Sequence, residues 1–295
     1  MIRKMLLIQS IRVQNANALS SPYTVGFPAM TAWLGAVHAL QRQLVQQGFG
    51  NLRFRAVGVV THDSDLQLYR GPSDYVSSII GTGNPLDKDG KRSSFIEEAR
   101  IHMDVSIVIE MEGLGKRDER NGFVETVEKT LLGRMKLAGG DILGISGVEI
   151  VRVDDEDVSE TKRFMAKVMP GYAVIDRRDL MIEAMEADRN ALDAMIEYLA
   201  IHHRCEEGRW ISERKSDGWI VPLAVGFHGL SEPGKALNQR DAETPHRFAE
   251  SVVTLGEFVM PFRLNHIDEL LWRYKYDEEN ALYLCEPIKT KQEGK

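Results

Sequence analysis

The stretch KMLLIQSIRV, residues 4–13, decides how the first half of the chain folds. Its apolar and polar residues alternate strongly enough to predict a half-buried strand. Further strands are predicted over residues 54–61 (FRAVGVVT), 103–111 (MDVSIVIEM) and about 142–151. In the strand over residues 103–111, apolar residues line one face and mixed residues the other, which is typical of a strand inside a sheet.

Two helices are predicted between these strands. Apolar residues at helical spacing begin after Pro28 and end before Gly48, where glycine gives a plausible stop. A second helix is predicted over residues 123–135. The resulting β-α-β-β-α-β order predicts an α+β protein with a palm of the ferredoxin-like, RRM-type fold over residues 1–61 and 103–152.

An insertion of about forty residues separates the second and third strands, which is longer than a simple hairpin loop. It spans residues 62–102 and contains GTGNPLDKDGKRSS, with a Lys-Arg cluster at its tip. One interpretation is a solvated surface loop, because long loops are often only exposed. The other is a protruding β-hairpin, an inserted thumb that grips a partner or a polyanion.

The second half, residues 153–295, is predicted to be an α/β extension packed on the palm, since no low-complexity linker separates the two. The predicted elements are helices over 176–203, 247–258 and 267–274 and strands over 219–227 and 281–285. The segment 188–190 is a possible break in the first helix. Pro222 limits its strand to an edge or irregular position.

Composition indicates an ordinary globular protein. Of its 295 residues, 43% are hydrophobic and 27% charged. No apolar run approaches the roughly 20 residues that cross a bilayer, so no membrane association is expected. The chain has two cysteines, Cys205 and Cys285, far apart and outside any CxxC spacing. This pattern predicts a reducing, cytoplasmic location and argues against a disulfide framework or a zinc ribbon.

The net charge of −7 counts against a nucleic-acid binder, because phosphate contacts come from Lys and Arg. It does not exclude one, since a groove needs only a local basic lining. Any RNA contact is therefore expected to be confined to one face, with the acidic remainder facing solvent or basic protein partners.

No catalytic or cofactor motif stands out, and we expect neither a cofactor nor a metal. His62 with Asp63 and Asp65 is a possible metal half-site, although such residues more often end a strand. The group His202, His203 and Cys205 converges poorly on a helix. His38 is interpreted as a satisfied core or interface histidine, with general acid-base work on an RNA 2′-hydroxyl as the alternative.

Basic and amide-bearing residues form a more coherent set. Arginine makes forked contacts to phosphate, asparagine reads base edges or sugar hydroxyls, and a glycine pair lets backbone N–H groups approach a phosphate. The predicted RNA-binding residues are Asn15, Asn17, Lys88, Lys91, Arg92, Arg134, Lys136, Gly139, Gly140, Arg240 and Arg247.

Several stretches resemble one protein family. QNANALSSPYTVGFP, followed by AWLGAVHALQR, is similar to the N-terminal region of the Csy2 family, the Cas-five-type subunits (RAMP superfamily) of type I-F CRISPR surveillance complexes. Further similar segments are NPLDKDG, EEARIHMDVS, MKLAGGDIL, PGYAVIDRRDL, GWIVPLAVGF and RDAETPHRFAESVVTLGEF. They follow in chain order through most of the sequence, as far as LLWRY at residues 270–274.

The resemblance implies a non-catalytic subunit that binds the 5′ handle of the guide RNA (crRNA). It implies docking to the large subunit and the first backbone subunit of the complex. Contact with target DNA near the protospacer-adjacent motif is plausible, but no residue argues for it. Two alternatives stay open, a guide-processing endoribonuclease and an adaptor that touches only protein. The ribonuclease predicts metal-independent cleavage that a His38 or His62 variant abolishes.

Overall fold

The structure is a computed structural model that describes residues 2–82, 85–94, 96–115, 122–237, 239, 241 and 243–288. Helices and strands are mixed, which confirms the α+β class. The helices are α1 Met30–Gln46, α2 Phe123–Arg134, α3 Val158–Ala166, α4 Arg178–Glu186 and α5 Ala191–Leu199, with 3₁₀ turns at Pro261–Arg263 and Ile267–Leu270.

The strands are numbered in chain order. They are β1 Ile2–Asn17, β2 Leu19–Ser21, β3 Thr24–Val25, β4 Arg53–Leu66, β5 Leu68–Tyr69, β6 Ser78–Ile79, β7 Gly81–Thr82, β8 Ile96–Glu97, β9 Arg100–Glu112, β10 Lys136–Leu137, β11 Gly140–Asp154, β12 Tyr172–Asp176, β13 His202–Glu206, β14 Arg209–Glu213, β15 Trp219–Gly229, β16 Ala249–Val259, β17 Trp272–Asp277 and β18 Leu282–Pro287.

One ten-stranded antiparallel sheet runs through both halves of the chain, in the order β10-β11-β1-β9-β4-β12-β16-β15-β18-β17. The four long strands of the first half therefore lie side by side as β11-β1-β9-β4. The sheet also curls back on itself, because β17 pairs with β4 at Trp272 and Val57. Strand β4 of the first half therefore pairs with two strands of the second half, β12 and β17.

Alternate residues of the central strands pack against different layers. Leu6 and Ile8 of β1 belong to the core that α1 and α2 cover. Met5 and Leu7, which point to the other face, belong to a second core with Phe164 of α3. Both faces of the first-half sheet are buried in this way.

The long first strand is bent by two bulges. Ser10 and Asn15 have positive φ angles of 47° and 58°, and the pairing of β1 with β9 shifts register at both places. A bulge turns the strand locally. The second bulge lies where β1 approaches the turn into β11.

Two predicted helices in the second half are wrong. Residues 247–258 form most of strand β16, which pairs with β15 on one side and β12 on the other. The apolar residues of ESVVTLGEF fit a helical spacing, but sheet pairing on both edges overrides it and suits the β-branched residues. Residues 267–274 begin as a 3₁₀ turn and continue as β17, which pairs with β18.

The remaining elements of the second half follow the sequence more closely. The predicted helix over 176–203 is two helices, α4 and α5, separated at the predicted break. The two ends of the predicted helix are not helical in the structure, because Asp176 is the last residue of β12 and His202 is the first residue of β13. Strand β15 pairs with β16 along its length but with β18 only from Gly226 to His228, so Pro222 lies where one edge is free.

The predicted insertion grows out of β4 and β9. These two strands keep pairing as far as Leu66 and Ile101, beyond the predicted palm boundary. Two short ribbons, β5–β6 and β7–β8, follow. A tight turn at the tip is closed by Asp87, whose carboxylate accepts the Lys91 N–H at 2.8 Å. The division into palm, thumb and extension stays a prediction.

Candidate nucleic-acid interface

A groove of about 380 Å³ lies where the end of β1, the start of α1 and the turn before β11 meet. We call it the glycine groove. Its lining residues are Asn17, Pro28, Ala29, Ala32, Ala36, Lys136, Ala138 and Gly139. Mostly small side chains line it, so backbone forms much of its surface.

The turn in this groove has an unusual backbone. Ala138 and Gly139 both have positive φ angles, 46° and 78°. The Asn17 N–H donates to the Ala138 carbonyl at 2.8 Å and fixes the turn against β1. Gly139 is exposed, with open space beyond its Cα. Consecutive amides in such a turn form a concave surface that suits an anion.

Gly140 serves packing. It is buried, and a Cβ there would lie 2.7 Å from the Gln14 carbonyl oxygen and the Ala16 nitrogen. The predicted approach of this glycine pair to a phosphate is therefore left to Gly139. Gly140 allows β11 to begin directly against β1.

The start of helix α1 adds a second feature. Its N-cap, Ala29, makes no side-chain capping bond, and the first turn contains no acidic residue. The first amides of a helix lack intrahelical partners, and the helix dipole makes this end positive. An uncapped N-terminus beside a concave turn is therefore arranged to accept an anion.

One cation, Lys136, lines the groove, and a second, Arg134, precedes it by two residues. Lys136 pairs with Asp141 at 2.6 Å, and both side chains are 62% exposed. An exposed pair of this kind is weak and exchangeable. Arg134, at the end of α2, is exposed and forms no ion pair with any residue that the structure describes.

The predicted asparagines have different roles. The Asn17 side chain is engaged locally, donating to the Leu19 carbonyl at 3.0 Å and accepting the Leu19 N–H at 3.2 Å. Asn15 has an exposed side chain at the bulge, and its backbone N–H donates to His102 Nδ1 at 3.1 Å. Asn15 is therefore better placed to reach a ligand with its amide.

The structure does not bring the other predicted residues into this groove. Lys88, Lys91 and Arg92 are exposed on the tip of the insertion. Arg247 lies between β15 and β16, where it packs on Gly229 and sits 3.6 Å from Glu232. Arg240 lies outside the described residues.

The histidines considered for chemistry are mostly structural. His62 has both ring nitrogens engaged at 2.6 Å, with the Pro170 carbonyl and the Ser106 hydroxyl. His202 and His203 are neighbours on a strand, so they point to opposite faces of the hairpin. Among the described residues, no group of three or more His, Cys, Asp or Glu is placed to hold a metal ion.

Sequence reasoning missed a second recess, which we call the aromatic pocket. It is a cavity of about 220 Å³ between α1 and strands β4, β17 and β18. Its lining residues are Leu34, Val37, His38, Gln41, Phe54, Arg55, Ala56, Val57, Trp272, Arg273, Tyr274 and Tyr283. His38 is exposed at its rim, so the core interpretation of this residue is wrong. The interface interpretation stays a prediction.

Burial alters the acidity of groups behind this pocket. It raises the pKa of Tyr274, and the neighbouring Tyr283 adds to this increase. The two rings lie 5.0 Å apart. Burial also raises the pKa of the Cys285 thiol to about 12. Cys285 faces Tyr274 across the β17–β18 pair.

No helix within the described ranges is long and apolar enough to cross a membrane. Fold and site together define an α+β protein with a groove of mostly small residues beside its first helix. Residues 6–285 match the family model for the CRISPR-associated protein Csy2. The CRISPR-associated protein Csy2 of Pseudomonas aeruginosa (strain UCBPP-PA14) is 32% identical over 310 aligned positions, which cover 95% of this chain and 94% of that protein.

The chain therefore belongs to the Csy2 family. The resemblance predicted from the sequence, to the Csy2 subunits of type I-F CRISPR complexes, is confirmed.

Proposed function

We propose that this chain binds the 5′ handle of the guide RNA in a type I-F complex without cutting it. The observation that carries the proposal is the glycine groove, where the uncapped start of α1 meets the Ala138–Gly139 turn. Both features offer backbone N–H groups, and phosphates are the anions that RNA supplies.

The strand order supports the architecture that this function needs. In the first half the order β11-β1-β9-β4, with α1 and α2 on one face, supports the proposal of a ferredoxin-like palm. The groove lies at the edge of this palm, beside the start of α1. The insertion between β4 and β9 would then be the thumb, with Lys88 and Lys91 at its tip.

A non-catalytic role agrees with the chemistry of the histidines. General acid-base cleavage needs a nitrogen free to exchange a proton with the RNA. Both nitrogens of His62 are engaged within the fold. His38 lies in the aromatic pocket, and no carboxylate is among the lining residues of that pocket.

Protein contacts complete the proposal. The net charge of this chain is −7, and acidic surface repels the phosphates of RNA. Most of the acidic surface therefore faces solvent or basic partners. The large subunit and the first backbone subunit are the partners that we propose, in the cytoplasm where guide RNA is made.

The test is co-expression of this chain with the large subunit and a CRISPR array, followed by purification and sequencing of any bound RNA. Wild type should retain intact guides with the handle protected from nuclease. The double variant Arg134→Gln/Lys136→Gln should lower RNA retention. The slope of the logarithm of RNA affinity against the logarithm of salt concentration should also weaken, by the amount expected for the loss of about one to two phosphate contacts. Arg163→Gln, an exposed arginine on α3, is the control.

Three outcomes decide between the candidates. Protected handles that the double variant loses support the proposal. A wild-type complex with no RNA supports the protein-only adaptor. Guides cut at a fixed position without metal, and left uncut by a His38→Ala variant, support the ribonuclease.

A further inference from the structure

We propose that the aromatic pocket holds one unpaired nucleotide of the bound RNA, with its base inside the cavity and its phosphate at the rim. The proposal rests on the proposed function, because it adds a second RNA contact to that of the glycine groove. It concerns residues of α1, β4, β17 and β18.

The pocket exists because strands β4 and β17 diverge. β4 and β17 pair at one position, Val57 with Trp272. Beyond it, the Phe54 N–H of β4 donates to the Gln41 side chain at 2.6 Å in place of a strand partner. The side chain from α1 thus satisfies the freed backbone donor, and the gap between the strands stays open without cost to the fold.

The walls suit a flat ring. Phe54, Tyr274 and Tyr283 supply aromatic surface, and the buried Trp272 forms part of the floor. The rings of the two tyrosines pack against each other, with their centroids 5.0 Å apart. A volume of about 220 Å³ is below the several hundred Å³ of drug-sized sites and leaves room for one ring system.

The rim is cationic. His38 and Arg273 are exposed, and Arg42 follows His38 by one helical turn on the same side of α1. Neither Arg42 nor Arg273 forms an ion pair with any residue in the described ranges. Arg55 is paired with Glu112, and both are about half exposed. In a chain of net charge −7, this is a local excess of positive charge.

An aromatic cavity with a cationic rim matches a nucleotide. Every base has a π-face that can stack on aromatic side chains, and arginine at the mouth can bind the phosphate. Unpaired RNA can place a base in such a cavity because its bases are free to splay out. A peptide with an aromatic residue beside an acidic one would also fit by chemistry, so the test must separate the two.

The first experiment places a photo-crosslinking residue at the rim. His38 is replaced by a slim, unbranched amino acid that carries a diazirine, which leaves the mouth of the pocket open, in the complex co-expressed with a CRISPR array, and the adduct is identified by mass spectrometry. The same residue at Arg163, on the exposed side of α3, is the matched control. We expect an adduct to RNA, concentrated on one nucleotide, from position 38 and none from position 163.

The second experiment either blocks the mouth of the pocket or removes positive charge from its rim. His38→Trp places a bulky ring at the exposed mouth without removing a core contact, and Arg42→Gln/Arg273→Gln removes rim charge. Chemical probing of the bound guide should show one nucleotide becoming about tenfold more reactive, while the rest of the handle stays protected. Arg163→Gln should change nothing.

The outcomes separate this inference from the proposed function. A position-38 adduct to a protein subunit, or no adduct in a complex that contains RNA, overturns the nucleotide site. Unchanged reactivity of every nucleotide in the His38→Trp complex also overturns it. Both results leave the glycine groove intact if Arg134→Gln/Lys136→Gln still lowers RNA retention. A wild-type complex without RNA overturns both.

Discussion

The two recesses lie on opposite flanks of helix α1 and are built in opposite ways. Ala29, Ala32 and Ala36 face the glycine groove, whereas His38 and Gln41 face the aromatic pocket. With 3.6 residues per turn, these sets fall on different sides of the helix. The groove is mostly backbone and small residues, and the pocket is mostly large side chains from both halves of the chain.

This difference determines how each recess responds to substitution. A site formed by backbone is damaged by adding atoms, since its shape depends on the absence of side chains. A site formed by side chains is damaged by removing atoms, because they also hold the core together. The predictions below test this contrast, from the largest expected effect to the smallest.

Removing the floor of the aromatic pocket should have the largest effect. Trp272 is 1% exposed, and its indole N–H donates to the Val174 carbonyl at 2.9 Å. Trp272→Ala should lower the free energy of unfolding by about 3–5 kcal/mol, because it leaves a cavity and an unpaired carbonyl. Urea unfolding measures this. Tyr276→Ala, on the same strand but 60% exposed, should cost less than about 1 kcal/mol. Equal losses would contradict the contrast.

Adding one carbon at Gly140, which packs β11 against β1 beside the glycine groove, should have the next largest effect. In Gly140→Ala the new Cβ would lie 2.7 Å from β1 backbone atoms, so β1 and β11 must move apart. The expected loss in unfolding free energy is about 2–3 kcal/mol. In Gly139→Ala the new Cβ lies in open space. The unfolding free energy should fall by only about 1 kcal/mol, because alanine must adopt a left-handed backbone conformation there. Urea unfolding of the two variants compares them, and a larger loss at Gly139 would contradict the assignment.

The sequence was sufficient to predict the helices and strands of the first half of the fold. Alternation in residues 4–13 and the helical spacing after Pro28 are local patterns, and the structure confirms both. Lys136 and Gly139 could be predicted as RNA-binding residues because they belong to one short stretch, whereas the meeting of this stretch with the start of α1 is seen only in the fold. Local patterns failed at residues 247–258, where pairing on both edges of β16 determines the structure.

The aromatic pocket could not be predicted because nothing in the sequence brings its parts together. His38 and Tyr283 are 245 residues apart, and they meet only because β17 returns to β4. The reading of His38 as a core residue assumed that an apolar helix buries every neighbour of its apolar stripe. The parting of β4 from β17 leaves that flank open.

The thiol behind the aromatic pocket should make the protein sensitive to alkaline pH. Burial raises the pKa of Cys285 from its ordinary value of 9.0 to about 12. Its stabilising contribution is complete below pH 9 and falls as the pH rises towards 12, because the unfolded chain releases the proton first. The loss at pH 10 should be about 1 kcal/mol.

The measurement is the change in unfolding free energy between pH 8 and pH 10, compared for wild type and Cys285→Ala. The variant should lose less than wild type over this range. Cys205→Ala is the control, since Cys205 is exposed on a hairpin and should behave like wild type. A variant at Cys285 with the same pH dependence as wild type would contradict the assignment.

The smallest effect on stability is expected at the rim of the glycine groove. Lys136→Ala breaks an ion pair whose two side chains are 62% exposed, so unfolding free energy should change by less than about 1 kcal/mol. RNA retention should still fall, and its dependence on salt should weaken by about one phosphate contact. Asp141→Asn is the matched variant, because it frees Lys136 and should strengthen retention at low salt. If both variants lowered retention equally, the ion pair itself would be holding the turn, and the groove would depend on side chains as the pocket does.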